Sequence, residues 1–270
     1  MSTTPTPTPA GIYRLIPSAE YHALNLPSAS YLKALNRCPA AAKTGLPPSP
    51  ALDFGTAFHA IMDGTFEETC AVAPEGDKRT KEGKAAWEQF QAANAGKVVV
   101  SASDMAKLYA MRRAVENHPE AGRIVSASGE SELTVIWVEP TSGLLCKSRM
   151  DWVLPGVIVD FKTCCSAESG KFLKSVVDFG YAVQAAFYMD AMASVGVAVE
   201  DFQFVAVEKD APHRVEVYSL SQEFLAWGRS EYRRLLQVEL SCREANHWPA
   251  YKASGVVELG LPAWLKGGAA

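Results

Sequence analysis

The sequence predicts an α/β fold: a mixed central sheet flanked by helices, with a helical addition at the N-terminal end. Two observations carry this. Up to about residue 130 the apolar residues fall in helix-like stripes broken by proline; beyond it they fall in runs of strand type. In that second part three strand-like runs are followed by a helix, two more strands and a long helix, the alternation of an α/β core. A third feature marks where chemistry would sit. The apolar run Val157-Ile158-Val159 ends in Asp160-Phe161-Lys162, an acid and a lysine two residues apart.

The elements follow in order. Residues 1–10 form a Thr/Pro tract that has nothing to pack into a core and is expected to be a disordered arm. Residues 11–270 show no internal repeat or linker and read as one domain. Ser28-Ala29-Ser30 is a helix start, with Tyr31, Leu32 and Leu35 as the apolar stripe. Pro47-Pro48-Ser49-Pro50 is a rigid stop. Residues 51–63 read as a helix with Phe54, Phe58 and Ile61 on one face. Gly55 and His59, four apart, lie together beside that face, and the glycine leaves room for a neighbouring element. Residues 74–85 are a polar, basic loop leading into a helix around Trp87 and Phe90. Ser101 and Asp104 have the spacing of a capping box, opening a helix that bears Met105, Leu108 and Met111.

In the second part, Leu133 to Val138, Leu144 to Leu154 and Val157 to Lys162 read as strands. Thr141-Ser142-Gly143 and Pro155-Gly156 are the turns between them. Tyr181 to Val195 reads as a helix, and Phe202 to Glu208 and Arg214 to Leu220 as strands. Ser221 to Arg243 is a long amphipathic helix with Phe224, Leu225, Tyr232, Leu235, Leu236 and Val238 as its apolar positions.

Composition narrows the function. A charge of −4 argues against a protein that coats nucleic acid, but leaves room for an enzyme with a local basic channel. Basic clusters do occur, at Lys78-Arg79-Thr80-Lys81 with Lys84, at Arg112-Arg113, at Lys171 with Lys174, and at Arg229, Arg233 and Arg234. No apolar stretch reaches the roughly 20 residues of a membrane span, and the N-terminal residues lack the pattern of a signal peptide. None of the six cysteines forms a C-x-x-C pair, which argues against zinc and for reduced thiols in a cytoplasm.

The acid–lysine pair defines the candidate site. Strand side chains alternate faces, so Asp160 and Lys162 point one way and Phe161 the other. Buried charges need partners, and Asp151, nine residues upstream, can meet Asp160 if the two strands are neighbours. Two carboxylates and an ammonium at one strand end suit a divalent cation held by hard oxygens beside a group that orients or deprotonates water. The Phe161 carbonyl is a further candidate ligand. A nearby metal would help keep the pKa of Lys162 low enough for the basic role. Gln184 and Tyr188, four apart, share a face of the following helix. A lone histidine in an apolar helix is more often a core residue than a ligand, and His59 alone carries little weight.

The ordered set Gly55-x-x-x-His59, Asp151, Asp160-Phe161-Lys162 and Gln184-x-x-x-Tyr188 resembles the PD-(D/E)XK nuclease superfamily in its RecB-like branch. Within that branch it is most similar to the RecE-type exonucleases, also called exonuclease VIII, of phages and prophages. Arg79-Thr80-Lys81-Glu82-Gly83-Lys84 resembles a basic segment of that group. Cys146 to Asp151 resembles its strand before the first aspartate, and Trp248-Pro249 and Pro262-Ala263-Trp264 its C-terminal tail. The resemblance runs from about Ser28 to Trp264. It implies a PD-(D/E)XK core in which His59, Asp151, Asp160 and the Phe161 carbonyl bind Mg²⁺, with Mn²⁺ able to substitute. Lys162 is then catalytic, and Gln184 and Tyr188 complete the site. Glu132, or alternatively Glu130, is an accessory acid. Arg79, Lys81, Lys84 and Arg149 are expected to meet DNA.

The implied reaction is digestion of linear double-stranded DNA from free ends, taking the 5′ strand and leaving a 3′ strand for a RecT-like annealing protein. Related toroidal assemblies imply a homo-oligomer around DNA. A four-thiolate iron–sulfur cluster, found in AddB-like relatives, is not expected, because Cys242 is the only cysteine of the C-terminal region. A structure-specific endonuclease with the same site, or a non-catalytic DNA-binding module, are the alternatives.

Overall fold

Alternation along the strands sets the layering. In β6 (Val157–Cys164), Ile158 enters one buried apolar cluster while Val159 and Phe161 enter the other. In β7 (Asp201–Glu208), Phe202, Phe204 and Ala206 face the first cluster, and Val205 and Val207 the second. The sheet is therefore buried on both faces at its centre and needs a helical layer on each side. The computed structural model describes residues 9–14, 16–45, 47, 49–76, 79–251 and 255–261 of the 270.

Among the described residues six strands form the main sheet, in the order β1 (Gly11–Tyr13), β4 (Glu130–Val138), β5 (Leu145–Leu154), β6, β7, β8 (Val215–Ser219). The β6–β7 pair is parallel and the others are antiparallel. A parallel pair needs a crossover. Here it consists of α9 (Ser169–Asp178) and α10 (Tyr181–Ser194). A separate parallel pair joins β2 (Cys70–Val72) to β3 (Val98–Val100).

The first face is covered by α2 (Ala29–Arg37), α3 (Pro39–Thr44), α9, α10 and α11 (Gln222–Glu244). The second is covered by α4 (Pro50–Asp63), α5 (Phe66–Thr69), α7 (Ala102–Asn117) and α8 (Pro119–Ser126). Helix α10 is apolar nearly all round, as a helix between sheet and outer layer must be. Its alanines allow close approach by α11: a β-carbon on Gly228 would lie 2.2 Å from the Ala182 carbonyl oxygen. Helices α1 (Ser18–Ala23) and α6 (Lys81–Ala93) complete the set among the described residues.

The strands and helices expected in the second part fall within a few residues of their bounds, and α9 is an addition to them. The Ser28 hydroxyl accepts from Tyr31 N–H at 3.3 Å to cap α2, and Ser101 accepts from Asp104 N–H at 3.0 Å to cap α7. Ser49 and Pro50, the end of the expected rigid stop, open the helix expected from residue 51: Ser49 caps α4 and Pro50 takes its first turn, where its missing N–H costs nothing. Gly55 is not needed as a gap, since a β-carbon there would meet Thr163 Oγ1 at 4.0 Å, an ordinary contact. The Thr/Pro arm lies outside the described residues except for Pro9 and Ala10, and Lys78 and Pro262-Ala263-Trp264 lie outside them too.

Candidate active site

The site lies where the sheet opens. Pairing of β5 with β6 covers Leu154↔Val157, Val153↔Ile158 and Trp152↔Val159, and goes no further. The next residues on the two strands are Asp151 and Asp160. Beyond them β5 pairs only with β4, and β6 only with β7. Phe161 N–H finds no strand partner on that side and donates instead to Asp151 Oδ2 at 2.9 Å.

The backbone of β4 and β5 turns over at the same level. Met150 packs in the first apolar cluster, whereas Trp152, two residues on, packs against the second. Glu132, which the register sets opposite Asp151, has φ of 50°, the left-handed region that residues other than glycine seldom occupy. This twist brings Asp151 between the layers, within reach of α4 on one side and of β6 on the other. His59 of α4 lies with Nδ1 3.1 Å from Asp151 Oδ2. His59, Met62, Asp63, Glu132, Asp151, Trp152 and Phe161 line a small cleft there.

On the first face, Asp160 is 1% exposed. Its Oδ2 pairs with the Lys162 ammonium, and its Oδ1 accepts from Gln184 Nε2 at 2.5 Å. Gln184 Oε1 in turn accepts from Lys33 Nζ of α2 at 3.2 Å. The Tyr181 ring spans the two ammonium groups, 4.8 Å from Lys162 Nζ and 5.1 Å from Lys33 Nζ. Tyr188 is buried one turn beyond Gln184, its ring tilted against Phe202.

The electrostatics follow from this packing. Burial opposes ionisation of Asp151, but His59 and Lys162 outweigh it and hold its carboxyl below the ordinary value. At Asp160 burial prevails, reinforced by Asp151, and the carboxyl is raised. Burial opposes the charge on Lys162, and Asp160 and Asp151 overcome it, raising the lysine above its ordinary value. These partners favour its ammonium form. His59 is raised to about 9 because Asp151 outweighs burial. Glu132 is raised to about 7 by burial, with Asp151 adding to it.

The arrangement brings together His59, Asp151, Asp160, Phe161, Lys162 and Gln184, with Tyr188 beside them. Of the two alternatives for an accessory acid, Glu132 lines the cleft, while Glu130 pairs with Arg14 at the exposed start of β4. Arg149, expected to meet DNA, is engaged inside the molecule instead. Its side chain is 10% exposed and bonds Thr134 Oγ1 at 3.1 Å and the Ile16 carbonyl at 2.8 Å. It also lies 3.3 Å from Glu132 and over the Tyr21 ring. It ties the N-terminal segment to β5. Lys81 and Lys84 stand exposed in the first turn of α6, and Arg79 is exposed just before it.

Lys33 and Tyr181 are site residues that the sequence reading passed over. Lys33 sits beside an apolar stripe like any solvated lysine, and only the packing of α2 on α10 directs it inward. Tyr181 read as a helix start, with no local sign that it would bridge two lysines.

Among the described residues, no three His, Cys, Asp or Glu side chains form a closed metal cage. The donor set still fits a hard divalent cation, because magnesium keeps several waters and takes only one or two carboxylates. Asp151 and Asp160 supply those on adjoining strands.

The fold and this site define a class: a sheet that opens between two strands to set two carboxylates beside a lysine on the second. The chain belongs to the family described as PDDEXK-like domain of unknown function (DUF3799), whose model matches residues 28–259. The PD-(D/E)XK core read from the motifs is thus borne out. Among solved structures, the chain is similar to a "Putative exonuclease" from Eubacterium rectale, with 15% identity and a TM-score of 0.61, covering 94% of this chain and 99% of that one. Weaker likenesses include a phage related exonuclease from Haemophilus somnus (13% identity, TM-score 0.32, 78% and 94% covered). An alkaline exonuclease from Laribacter hongkongensis is comparable (16% identity, TM-score 0.29, 70% and 96% covered). No curated protein matches the chain.

Proposed function

We propose that this protein is a metal-dependent exodeoxyribonuclease that digests linear double-stranded DNA from free ends. It takes the 5′ strand and leaves 3′ single strands for recombination by strand annealing. One observation carries the reading. Two carboxylates, an ammonium and a glutamine amide converge where the β5–β6 ladder opens, and apart from the Asp151 bond to the Phe161 N–H none of them meets a need of the sheet. The family supports it, and so does the likeness to the putative exonuclease from Eubacterium rectale.

Asp151, Asp160, His59 and the Phe161 carbonyl would hold Mg²⁺, or Mn²⁺ in its place. The cation, when bound, supplies a Lewis acid for the scissile phosphate and a more acidic water. Lys162, charged, orients the attacking water and counters charge developing on the phosphate. Gln184 fixes Asp160 by its hydrogen bond, and buried Tyr188 supports the helix that carries Gln184. Arg79, Lys81 and Lys84 touch the duplex backbone without reading sequence. The working form is a homo-oligomer encircling DNA, with a RecT-like annealing protein as partner, in the cytoplasm. No helix among the described residues is long and apolar enough to cross a membrane.

The test is digestion of end-labelled linear duplex beside a closed circular duplex, with Mg²⁺ and with EDTA. Loss of the linear DNA alone, only with Mg²⁺, and with early release of a 5′ label, is the expected result. Cutting of the circle would make the protein an endonuclease, and no cutting of either would leave a binding module.

A further inference from the structure

A side-chain amide near a carboxylate has two orientations, and only one of them donates. At Gln184 Lys33 shares in the choice with Asp160. Burial lowers the Lys33 amine to about 7, but Nζ keeps N–H donors in either state and gives one to the amide oxygen at 3.2 Å. Nε2 is thereby turned to Asp160 Oδ1, 2.5 Å away, and Asp160 presents its other oxygen to Lys162. Lys33 is itself held. Its stem lies against the turn at Gly180, where a β-carbon would be 3.8 Å from Lys33 Cγ, and its ammonium lies over Tyr181. Helix α2, which carries it, is anchored by Leu32 and Leu35 in the core and by Tyr31, whose hydroxyl donates to Glu239 at 2.6 Å.

We propose that Lys33 is a positioning residue: it fixes the orientation of the Gln184 amide and, through it, the carboxylate of Asp160 that would hold the metal. The inference rests on the metal-dependent reading above and extends it to a residue on another helix, 151 positions from Gln184 in sequence. Groups that hold a metal ligand from behind set its affinity, and their loss costs about 10–100-fold. Lys33 does not touch the metal ligand; it acts one hydrogen bond further back.

The experiment measures Mn²⁺ affinity by calorimetry on the full chain, with KM and kcat on linear duplex as companions. Lys33→Met keeps the stem and removes the donor, and is expected to weaken Mn²⁺ binding about tenfold or more. Lys33→Arg, which keeps a donor, should recover most of it. In a Gln184→Met background, Lys33→Met should change Mn²⁺ affinity no further, because its route is already cut. Unchanged Mn²⁺ affinity in Lys33→Met with a raised KM would make Lys33 a contact to the DNA phosphate and overturn the positioning role. Additive effects in the double variant, or failure of Lys33→Arg to recover binding, would overturn it as well. Absence of Mn²⁺ binding by the unaltered chain is a different failure, since it removes the metal-dependent reading itself.

Discussion

Asp160 has two carboxylate oxygens and three demands on them: a lysine, a glutamine amide and the cation the site is suited to hold. Its burial is tolerable only because Lys162 and Gln184 meet it. Replacing it by asparagine keeps the volume and removes the charge. We expect Asp160→Asn to lose at least about a hundredfold of Mg²⁺-dependent digestion while its circular dichroism remains that of a folded protein. Retained digestion would take Asp160 out of the site. At this scale the sequence was informative where spacing alone decides geometry. The two-residue period of a strand puts Asp160 and Lys162 on one face whatever surrounds them. It was uninformative where geometry comes from packing: Lys33 reaches the site because α2 lies on α10, and Arg149 turns inward because the N-terminal segment covers it.

At the scale of elements, the contact between α10 and α11 is set by a missing side chain. A β-carbon on Gly228 would run into main-chain atoms of Ala182, which cannot rotate away. Gly228→Ala should therefore destabilise the fold by about 1–3 kcal/mol despite the better helix propensity of alanine, as read by urea unfolding. An outcome within 0.5 kcal/mol of zero, on the order expected of a surface change, would show that the helices can separate freely.

A second contact, between α2, α11 and the following turn, runs through Glu239. The buried carboxylate accepts from Tyr31, from Arg243 at 2.7 Å and from Trp248 at 3.1 Å. Burial acts against its charge, and these donors outweigh burial, so its pKa is lowered. A carboxyl depressed in the folded state stabilises above its unfolded pKa, near about 4.3, and loses that contribution as pH falls towards the folded value. The melting temperature of the unaltered protein should therefore drop more between pH 6 and pH 3.5, conditions chosen to bracket that value, than that of Glu239→Gln. Parallel curves would show that Glu239 is not linked to folding.

Most long elements of the second part were legible because a sustained apolar period leaves few alternatives, but α9 was not read, since only Phe172 and Val176 of its ten residues are buried. The short ones were not. The β2–β3 pair and helix α8 are too brief for a period to declare itself, and β1 is defined only by its pairing with β4.

For the whole molecule, two apolar layers share one sheet, and the strands at its centre are sealed by both. Hydrogen exchange should be slowest in β6 and β7, at Ile158, Val159 and Phe204 to Val207, and fastest in the edge strand β1. Fast exchange in β7 would mean that one helical layer opens independently of the other.

The unpaired stretch between β5 and β6 has a consequence for reading relatives of this chain. The Asp151 carboxylate there does a main-chain task, receiving the Phe161 N–H that would otherwise be left without a sheet partner. A descendant that lost all chemistry would still be under pressure to keep an acceptor at that position, whereas nothing in the folding of the sheet asks for Asp160 or Lys162. An aspartate at 151 is thus poor testimony of activity, and the pair at 160 and 162 is the place to look when sorting working members of the family from retired ones.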